Sequence, residues 1–260
     1  MVRIINICSG KGGVGKSTVV ANLAVALQNF GKKVAVVDCN LTTSHLSLLF
    51  GSYSFPVTLN NFLRNEARLE DAVYLHPSGI SIVPASLELK DLVNVDVSNF
   101  KSKLKEIFQN YDFVLLDSAP GLGREALLAL QAADEIIFVA NPYIPALVDV
   151  VKCSQLINSF NPRPLPLGIV LNRVKKRRYE ISLEEVREFT GLPVIGLIPE
   201  DENILESTNK GVLVTFAKKS CRASKAFFEI AARLTNIPYK SSNGLLKRLK
   251  GFFIGSYHEW

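Results

Sequence analysis

Short runs of β-branched and apolar residues alternate with helix-length amphipathic segments along most of this 260-residue chain. The runs are almost continuously apolar, which is typical of strands that are buried on both faces of a sheet. Strands are predicted at 2–8, 33–38, 79–85, 112–117, 135–140, 166–172 and 193–199. Helices are predicted at 17–30, 58–74, 98–110, 123–133, 145–160, 182–190, 203–210 and 222–236. This alternation predicts an α/β fold, a single doubly wound and mostly parallel sheet with helices on both faces.

One break in composition divides the chain. The polar stretch IPYKSSNG, residues 237–244, separates the last residues from the alternating pattern. The chain is 48% hydrophobic, enough to bury a sizeable core. We therefore predict one domain over residues 1–236, a polar linker over 237–243 and a separate tail over 244–260.

A glycine-rich segment, SGKGGVGKST at residues 9–18, lies between the first predicted strand and the first predicted helix. It contains the pattern G-x-x-x-x-G-K-[ST], in which backbone amides and a helix N-terminus surround phosphate oxygens. Lys16 is expected to reach the outer phosphates, and Ser17 to supply a hydroxyl to Mg²⁺. The expected nucleotide contacts are Gly10, Lys11, Gly12, Gly13, Val14, Gly15, Lys16, Ser17 and Thr18.

A second acidic group near the metal is expected at the end of a hydrophobic strand. Asp117 ends FVLLD, and Asp38 ends VAVVD at the same predicted edge of the sheet. Both are candidate Mg²⁺ ligands and catalytic residues, and Gly121 is expected to bring its amide near the γ-phosphate. The alternative for each aspartate is a helix cap.

Composition narrows the class of protein. The four cysteines are scattered without a C-x-x-C pair, which favours buried small residues over an iron–sulfur or disulfide framework. No apolar run reaches the length of a membrane span, and we expect a cytoplasmic protein. The net charge of +6 is concentrated in basic runs at 175–178, 218–225 and 247–250. Such runs are either solvated faces or contacts for an anionic partner.

KGGVGKST resembles the deviant phosphate loop of the family that holds the MinD cell-division-site ATPases, the ParA partition ATPases and nitrogenase iron protein. VVDCN, LLDSAPG, VLNR and VIGLIPEDENI resemble the MinD branch, and the likeness covers residues 2–236. The resemblance implies an ATPase that forms an ATP-dependent homodimer around two nucleotides and has a regulatory or cargo protein as partner. It also implies that Lys11 crosses the dimer interface to the partner subunit's phosphates.

The same resemblance implies an adenine site. Asn172 and Arg173, in VLNR, would lie at the base, with Asn172 hydrogen-bonding adenine. Pro199, Glu200 and Asp201, in IPED, would line the base pocket. The alternative for Asn172 is an amide that is satisfied at the end of its strand.

The tail NGLLKRLKGFFI, residues 243–254, is amphipathic when drawn as a helix. A basic amphipathic segment behind a linker predicts reversible attachment to the cytoplasmic face of an anionic membrane, as in MinD tails. Its binding residues would be Leu245, Leu246, Lys247, Arg248, Leu249, Lys250, Phe252 and Phe253. Three basic residues contribute on the order of 3 kcal/mol to binding an anionic membrane. We therefore expect one tail to bind the membrane weakly, and the two tails of a dimer to bind it firmly. A terminal helix docked on its own domain is the alternative.

The chain departs from the MinD pattern at three positions. Asn40 stands where the family has the aspartate that positions the attacking water, His45 replaces an asparagine, and Tyr143 replaces a glutamate. Asn40 predicts slow hydrolysis, because an amide is a weaker acceptor than a carboxylate. Two other readings stay open: a ParA-like DNA-binding ATPase that uses the runs at 175–178 and 218–225, and an ATP-dependent scaffold that does not hydrolyse.

Overall fold

A computed structural model describes residues 1–42, 44–86 and 98–239. Within these residues the strands are β1 (Arg3–Cys8), β2 (Val34–Cys39), β3 (Tyr74–Leu75), β4 (Ser81–Val83), β5 (Phe113–Ser118), β6 (Glu135–Ala140), β7 (Leu165–Val174) and β8 (Val194–Pro199). They form one sheet in the order β3-β4-β2-β5-β1-β6-β7-β8. All neighbouring pairs are parallel except β3 with β4. The predicted mostly parallel sheet is confirmed.

The helices cover both faces of this sheet. They are α1 (Lys16–Asn29), α2 (Leu46–Leu49), α3 (Leu59–Leu63), α4 (Phe100–Ile107), α5 (Arg124–Ala132), α6 (Ile144–Ile157), α7 (Leu183–Thr190), α8 (Glu202–Asn209), α9 (Val214–Ala217) and α10 (Arg222–Thr235). The apolar residues of α1, α2, α9 and α10 pack on one face. Those of α3 to α7 pack on the other. None of the helices in the described ranges is long and apolar enough to cross a membrane.

The helix predicted over 58–74 is wrong. The structure has the short α3, then a 3₁₀ turn at Leu69–Ala72, then the edge strand β3. A Thr58 capping box begins α3, and Asn65 adopts a left-handed conformation with φ 60° directly after it. Asparagine tolerates this conformation through its short polar side chain, and the conformation stops the helix. The sequence also gave no sign of α2 and α9, each of which has four residues.

The parallel strands bring the chemistry to one edge. β1, β2 and β5 are neighbours, and their carboxyl ends carry the glycine-rich loop, Asp38 and Asp117. At the opposite edge, the ring of Tyr239 packs on Phe30, just past the end of α1, and on Phe228 of α10, with centroids 6.0 and 5.9 Å away. The first residues of the predicted linker therefore lie far from the loop.

Candidate functional site

The glycine-rich segment folds as a loop that opens directly into α1. Gly13 and Gly15 have φ of 77° and 94°, a left-handed backbone that other residues adopt only with strain. Gly15 caps α1 and Lys16 is its first residue. A side chain at Gly10 would overlap Asp149 of α6. The loop thus needs its glycines for backbone shape and for close packing, as phosphate loops do.

The two lysines of the loop lie in opposite environments. Lys16 is 7% exposed, and burial lowers the pKa of its ammonium group although Asp117 partly opposes the shift. Lys11 is exposed at the crest with Gly12 and Gly13. No described residue makes a hydrogen bond or ion pair with the Lys11 ammonium, while its backbone carbonyl accepts from the Ser9 hydroxyl at 2.8 Å. Lys16 is thus fixed by burial within its own subunit, whereas the Lys11 ammonium is exposed to solvent.

Asp117 is a buried acid without a partner. It is 1% exposed, and neither carboxylate oxygen accepts a hydrogen bond from a described residue. Burial raises its pKa to about 6, although the Ser17 hydroxyl, close by but outside hydrogen-bonding geometry, and the Lys16 ammonium act to lower that pKa. An unsatisfied buried carboxylate is costly, and natural proteins rarely keep one without a purpose.

Asp38 is buried as well, yet it is well satisfied. It lies directly opposite Asp117 in the β2–β5 register. One oxygen accepts the Asn40 amide at 3.0 Å, and the other accepts the Ser44 hydroxyl at 2.7 Å and the Leu46 amide at 3.3 Å. Burial, and then the charge of Asp117, raises the pKa of Asp38 to about 7. Asp38 therefore shapes the chain that follows β2.

These residues fit a magnesium ion and a phosphate chain. Mg²⁺ in nucleotide enzymes takes one or two carboxylates or hydroxyls from the protein and completes its shell with phosphates and water. Asp117, Ser17 and, behind them, Asp38 supply that donor set beside Lys16 and the N-terminus of α1. A divalent cation would also remove the penalty of the unpartnered Asp117 oxygens.

The predicted water-positioning residue, Asn40, is buried, while His45 is exposed beyond it. Thr42, between them, donates through its amide (3.1 Å) and its hydroxyl to the Glu125 carboxylate at the start of α5. The segments after β2 and after β5 are thereby tied together.

The Gly121 amide donates to the Ser9 carbonyl at 3.0 Å, so a bond from this amide to phosphate would require that contact to break.

Asn172 lies under the phosphate loop. Its side-chain amide donates to the Val14 carbonyl at 2.7 Å, while its own backbone carbonyl accepts from the Asn141 side chain at 3.0 Å. Val14 is buried, and so is Asn172. Arg173 is exposed and has a left-handed backbone, with φ 59°. The adenine contact stays a prediction, with the Asn172 side-chain oxygen as the available acceptor.

The predicted base-pocket residues at the end of β8 have different roles. Pro199 and Glu200 line an open cleft, and Glu200 pairs with Lys175 at 2.8 Å. Asp201 caps α8 by accepting the Asn203 amide, and its other oxygen accepts the Ala223 amide in the first turn of α10, each at 3.1 Å. Asp201 thus holds two helix N-termini, and a contact with the base would compete with these bonds.

Sequence reasoning missed several supporting residues, namely Ser9, Ser44, Glu125 and Asn141. Ser9 acts through a loop carbonyl, and Glu125 and Asn141 act through partners distant in sequence. Ser44 donates to the Asp38 carboxylate six residues before it, and no motif marks any of the four. Asn141 had the clearest signal, since it directly follows a buried strand at the functional edge.

The tail residues 245–253, which are predicted to bind a membrane, lie outside the described residues.

Comparison with known proteins agrees with this geometry. A family profile described as the CobQ/CobB/MinD/ParA nucleotide binding domain matches residues 5–214. An ATP-binding protein of Methanocaldococcus jannaschii is 34% identical over 257 residues, which span 99% of this chain and 96% of that protein. The septum site-determining protein MinD of Pyrococcus horikoshii, solved with Mg-ADP, superposes with a TM-score of 0.84 at 35% identity, covering 90% and 96% of the two chains. MinD in the MinC:MinD complex of Aquifex aeolicus gives 0.82 at 28%, covering 92% and 99%.

Proposed function

The chain belongs to the CobQ/CobB/MinD/ParA nucleotide-binding family, and on that premise we propose that it is a MinD-like ATP switch. The switch binds ATP with Mg²⁺, pairs with a second copy, and hydrolyses ATP slowly to ADP and phosphate. It attaches to an anionic membrane when paired and serves cell-division-site placement or a similar positioning task. The observation that carries the proposal is the unpartnered Asp117 beside Lys16 at the mouth of the phosphate loop.

Each residue of the site has a defined task in this proposal. Lys16 is fixed by burial and presents its ammonium to the outer phosphates. Ser17 and Asp117 hold Mg²⁺, which neutralises phosphate charge when it is bound. Asp38 arranges the backbone that carries Asn40, through bonds to the Asn40 and Leu46 amides. Asn40 orients the attacking water as a neutral acceptor, and turnover is slow for that reason.

Pairing is proposed from the exposure of Lys11. Two bound ATP molecules that face each other repel strongly unless cations lie between them. Lys11 projects from the crest of the loop, and no described residue of its own subunit pairs with it. Its ammonium is therefore available to the partner copy's phosphates. The MinC:MinD complex supports a regulatory protein as a further partner for proteins of this fold.

The DNA-binding alternative is weakened by the second basic run. The Lys218 ammonium donates to Asn203 at 2.9 Å and to Glu206, and Lys219 donates to Asn29 at 2.8 Å. Lys225 also has a partner. Cations that are committed to internal contacts contribute less to a phosphate-binding surface, so the run at 218–225 offers fewer available cations than its sequence suggests.

The test compares two lysine variants. Lys11→Ala is expected to bind ATP with nearly wild-type affinity, yet to stay monomeric and to lose turnover. Lys16→Ala is expected to lose nucleotide binding itself. Nucleotide titration and analytical ultracentrifugation with Mg-ATP separate the two defects. If Lys11→Ala dimerises like the wild type, Lys11 is only a local phosphate ligand; if neither variant alters ATP binding, the nucleotide site is misassigned.

A further inference from the structure

An open cleft of about 940 Å³ lies between the β7–α7 loop, residues 175–182, and the end of β8. This volume is that of a ligand or peptide groove. Its floor is apolar, and the floor residues are Leu171, Val174, Ile181, Leu183, Leu197 and Pro199. We refer to it as the β7–β8 groove.

Most of the apolar floor of the groove belongs to the face of the sheet that α6 and α7 cover, not to the α1 face. Side chains alternate along a strand, and Leu171 and Asn172 are successive residues of β7. Leu171 belongs to the core cluster beneath α6 and α7. Asn172 reaches the Val14 carbonyl on the α1 side. The floor beside Leu171 and the Asn172 side chain therefore lie on opposite faces of β7, while the Pro199, Glu200 and Arg222 end of the groove lies at the carboxyl edge where the base pocket is predicted.

Both acidic side chains on the rim already have partners within the protein. The Glu180 carboxylate accepts the amides of Lys175 and Lys176, each at 2.7 Å, and that of Arg177 at 3.3 Å. Glu200 pairs with the Lys175 ammonium. The side chains of Lys176 and Arg177 form no ion pair with any described residue, and Arg222 adds a further cation to the lining. The lining holds four cations, Lys175, Lys176, Arg177 and Arg222, against two carboxylates, so the rim carries a net positive charge.

The rim is also held in one shape. The Glu180 bonds close the loop on itself, and Lys176 has the left-handed φ of 57° that this closure requires. The Ile181 amide donates to the Pro142 carbonyl at 3.2 Å, which ties the loop to the start of α6. Beside it Tyr179, 65% exposed, stacks on Tyr143 with ring centroids 6.3 Å apart. A preorganised loop loses little entropy on binding a partner.

We propose that the β7–β8 groove docks an acidic amphipathic segment of a partner protein. Its apolar side would cover the floor, and its carboxylates would meet Lys176, Arg177 and Arg222, while the exposed tyrosine pair borders the contact as aromatic residues do at protein interfaces. Nucleic acid fits less well, because phosphates do not need an aliphatic floor. The inference rests on the proposed switch and names the chemistry of its partner. Probe binding is measured without nucleotide, and Mg-ADP enters only as a competitor, so the groove and the ATP switch can fail separately.

Two probes test the groove. One is anilinonaphthalene sulfonate, an apolar anion whose fluorescence rises in such sites; the other is a labelled helical peptide of glutamate and leucine. Lys176→Glu with Arg177→Glu is expected to weaken both by about tenfold or more, since rim charge and anion no longer match. Ile181→Ser is expected to weaken both through the floor. The control pair Lys152→Glu and Arg163→Glu makes the same charge change on exposed residues elsewhere, and should leave both affinities within about twofold.

Thermal melts accompany each variant, so that only folded proteins are compared. A lysine–leucine peptide should bind at least about tenfold more weakly than the acidic peptide, because like charges on the rim repel it. The proposal is overturned if wild-type protein binds neither probe, if the rim reversal has no more effect than the control pair, or if a single-stranded or duplex oligonucleotide binds more tightly than the acidic peptide through the same cations. It is equally overturned if Mg-ADP displaces the probes, since the groove would then be the base pocket.

Discussion

Asp38 and Asp117 lie opposite each other on β2 and β5, and the protein satisfies only the first of them. Asp38 accepts hydrogen bonds from three groups. Asp117 accepts none from a described residue, although both are buried. Two adjacent buried carboxyls disfavour each other's ionisation. The nucleotide-free site is therefore strained electrostatically, in a way that a bound cation relieves.

The first prediction follows for pH. The folded pKa values of Asp38 and Asp117, about 7 and about 6, lie above the ordinary value of 3.8. The folded state thus holds protons that the unfolded state releases, so stability should fall as pH rises from about 4 to about 7. Asp117→Asn should gain stability on the order of 1–3 kcal/mol relative to wild type at pH 8, and less at pH 5.

Thermal melts across this pH range, without nucleotide, measure the difference. With Mg-ATP the order should reverse, because the wild type gains a metal ligand that the amide replaces poorly. If Asp117→Asn is less stable than wild type at pH 8 without nucleotide, the carboxylate has a partner after all.

The second prediction concerns Asn40. Asn40→Asp restores a charged acceptor for water and should accelerate single-turnover hydrolysis at least several-fold. The upper bound is about 2–3 kcal/mol, or roughly 30- to 150-fold. The new carboxylate lies near Asp38 and Asp117, so the variant should also be less stable without nucleotide. Phosphate release from ATP-loaded protein measures the rate, with Asn40→Ala as control. Fast release by the wild type, unchanged in Asn40→Asp, would contradict the assignment.

The third prediction concerns Asn172, whose amide supports the Val14 carbonyl. Asn172→Ala leaves the buried Val14 carbonyl unsatisfied, which should cost about 1–3 kcal/mol of stability, and it should weaken nucleotide binding because the loop loses this support. If the side-chain oxygen also accepts from the adenine amino group, wild type should prefer ATP to inosine triphosphate, and the variant should not. Titration of the wild type and of Asn172→Ala with ATP and with inosine triphosphate measures this preference. Equal losses for the two would leave Asn172 as a support of the loop alone.

The fourth prediction concerns the tail. Deleting residues 243–260 should leave ATP binding intact and abolish sedimentation with anionic liposomes in ATP. Leu249→Glu should act similarly, because it places a charge in the predicted apolar face. Leu205→Glu, on α8, is the matched control at a position that is 66% exposed. Full sedimentation of the truncated protein would move the membrane contact elsewhere and favour a docked terminal helix.

Much of the fold was predictable because many of its elements are determined by residues that are neighbours in the sequence. Buried parallel strands such as FVLLD and the loop GKGGVGKST carry their structure in consecutive residues. The failure over 58–74 came from Asn65, whose left-handed turn overrides an otherwise helical pattern. The short α2 and α9 depend on packing against α1 more than on their own residues.

The site was predictable where chemistry follows a strand end, and not where it depends on a tertiary partner. Strand ends identified Asp38 and Asp117, and the glycine-rich pattern before the first helix identified Lys16. No pattern indicated that Asp201 would cap two helices, or that the Asn172 amide would hold the Val14 carbonyl, since each bond joins residues brought together only by the sheet.

The contact of Tyr239 with Phe30 has a mechanical consequence. α1 begins at Lys16 and has 14 residues, so it is about 21 Å long, with the phosphate loop at one end and the first residues of the linker, at Tyr239, by the other. Because α1 is buried along most of its length, we expect it to stay straight when the nucleotide changes. In the proposed switch, the state of the nucleotide is therefore expected to act at the membrane through the number of paired copies, one or two, and not through a bend in α1.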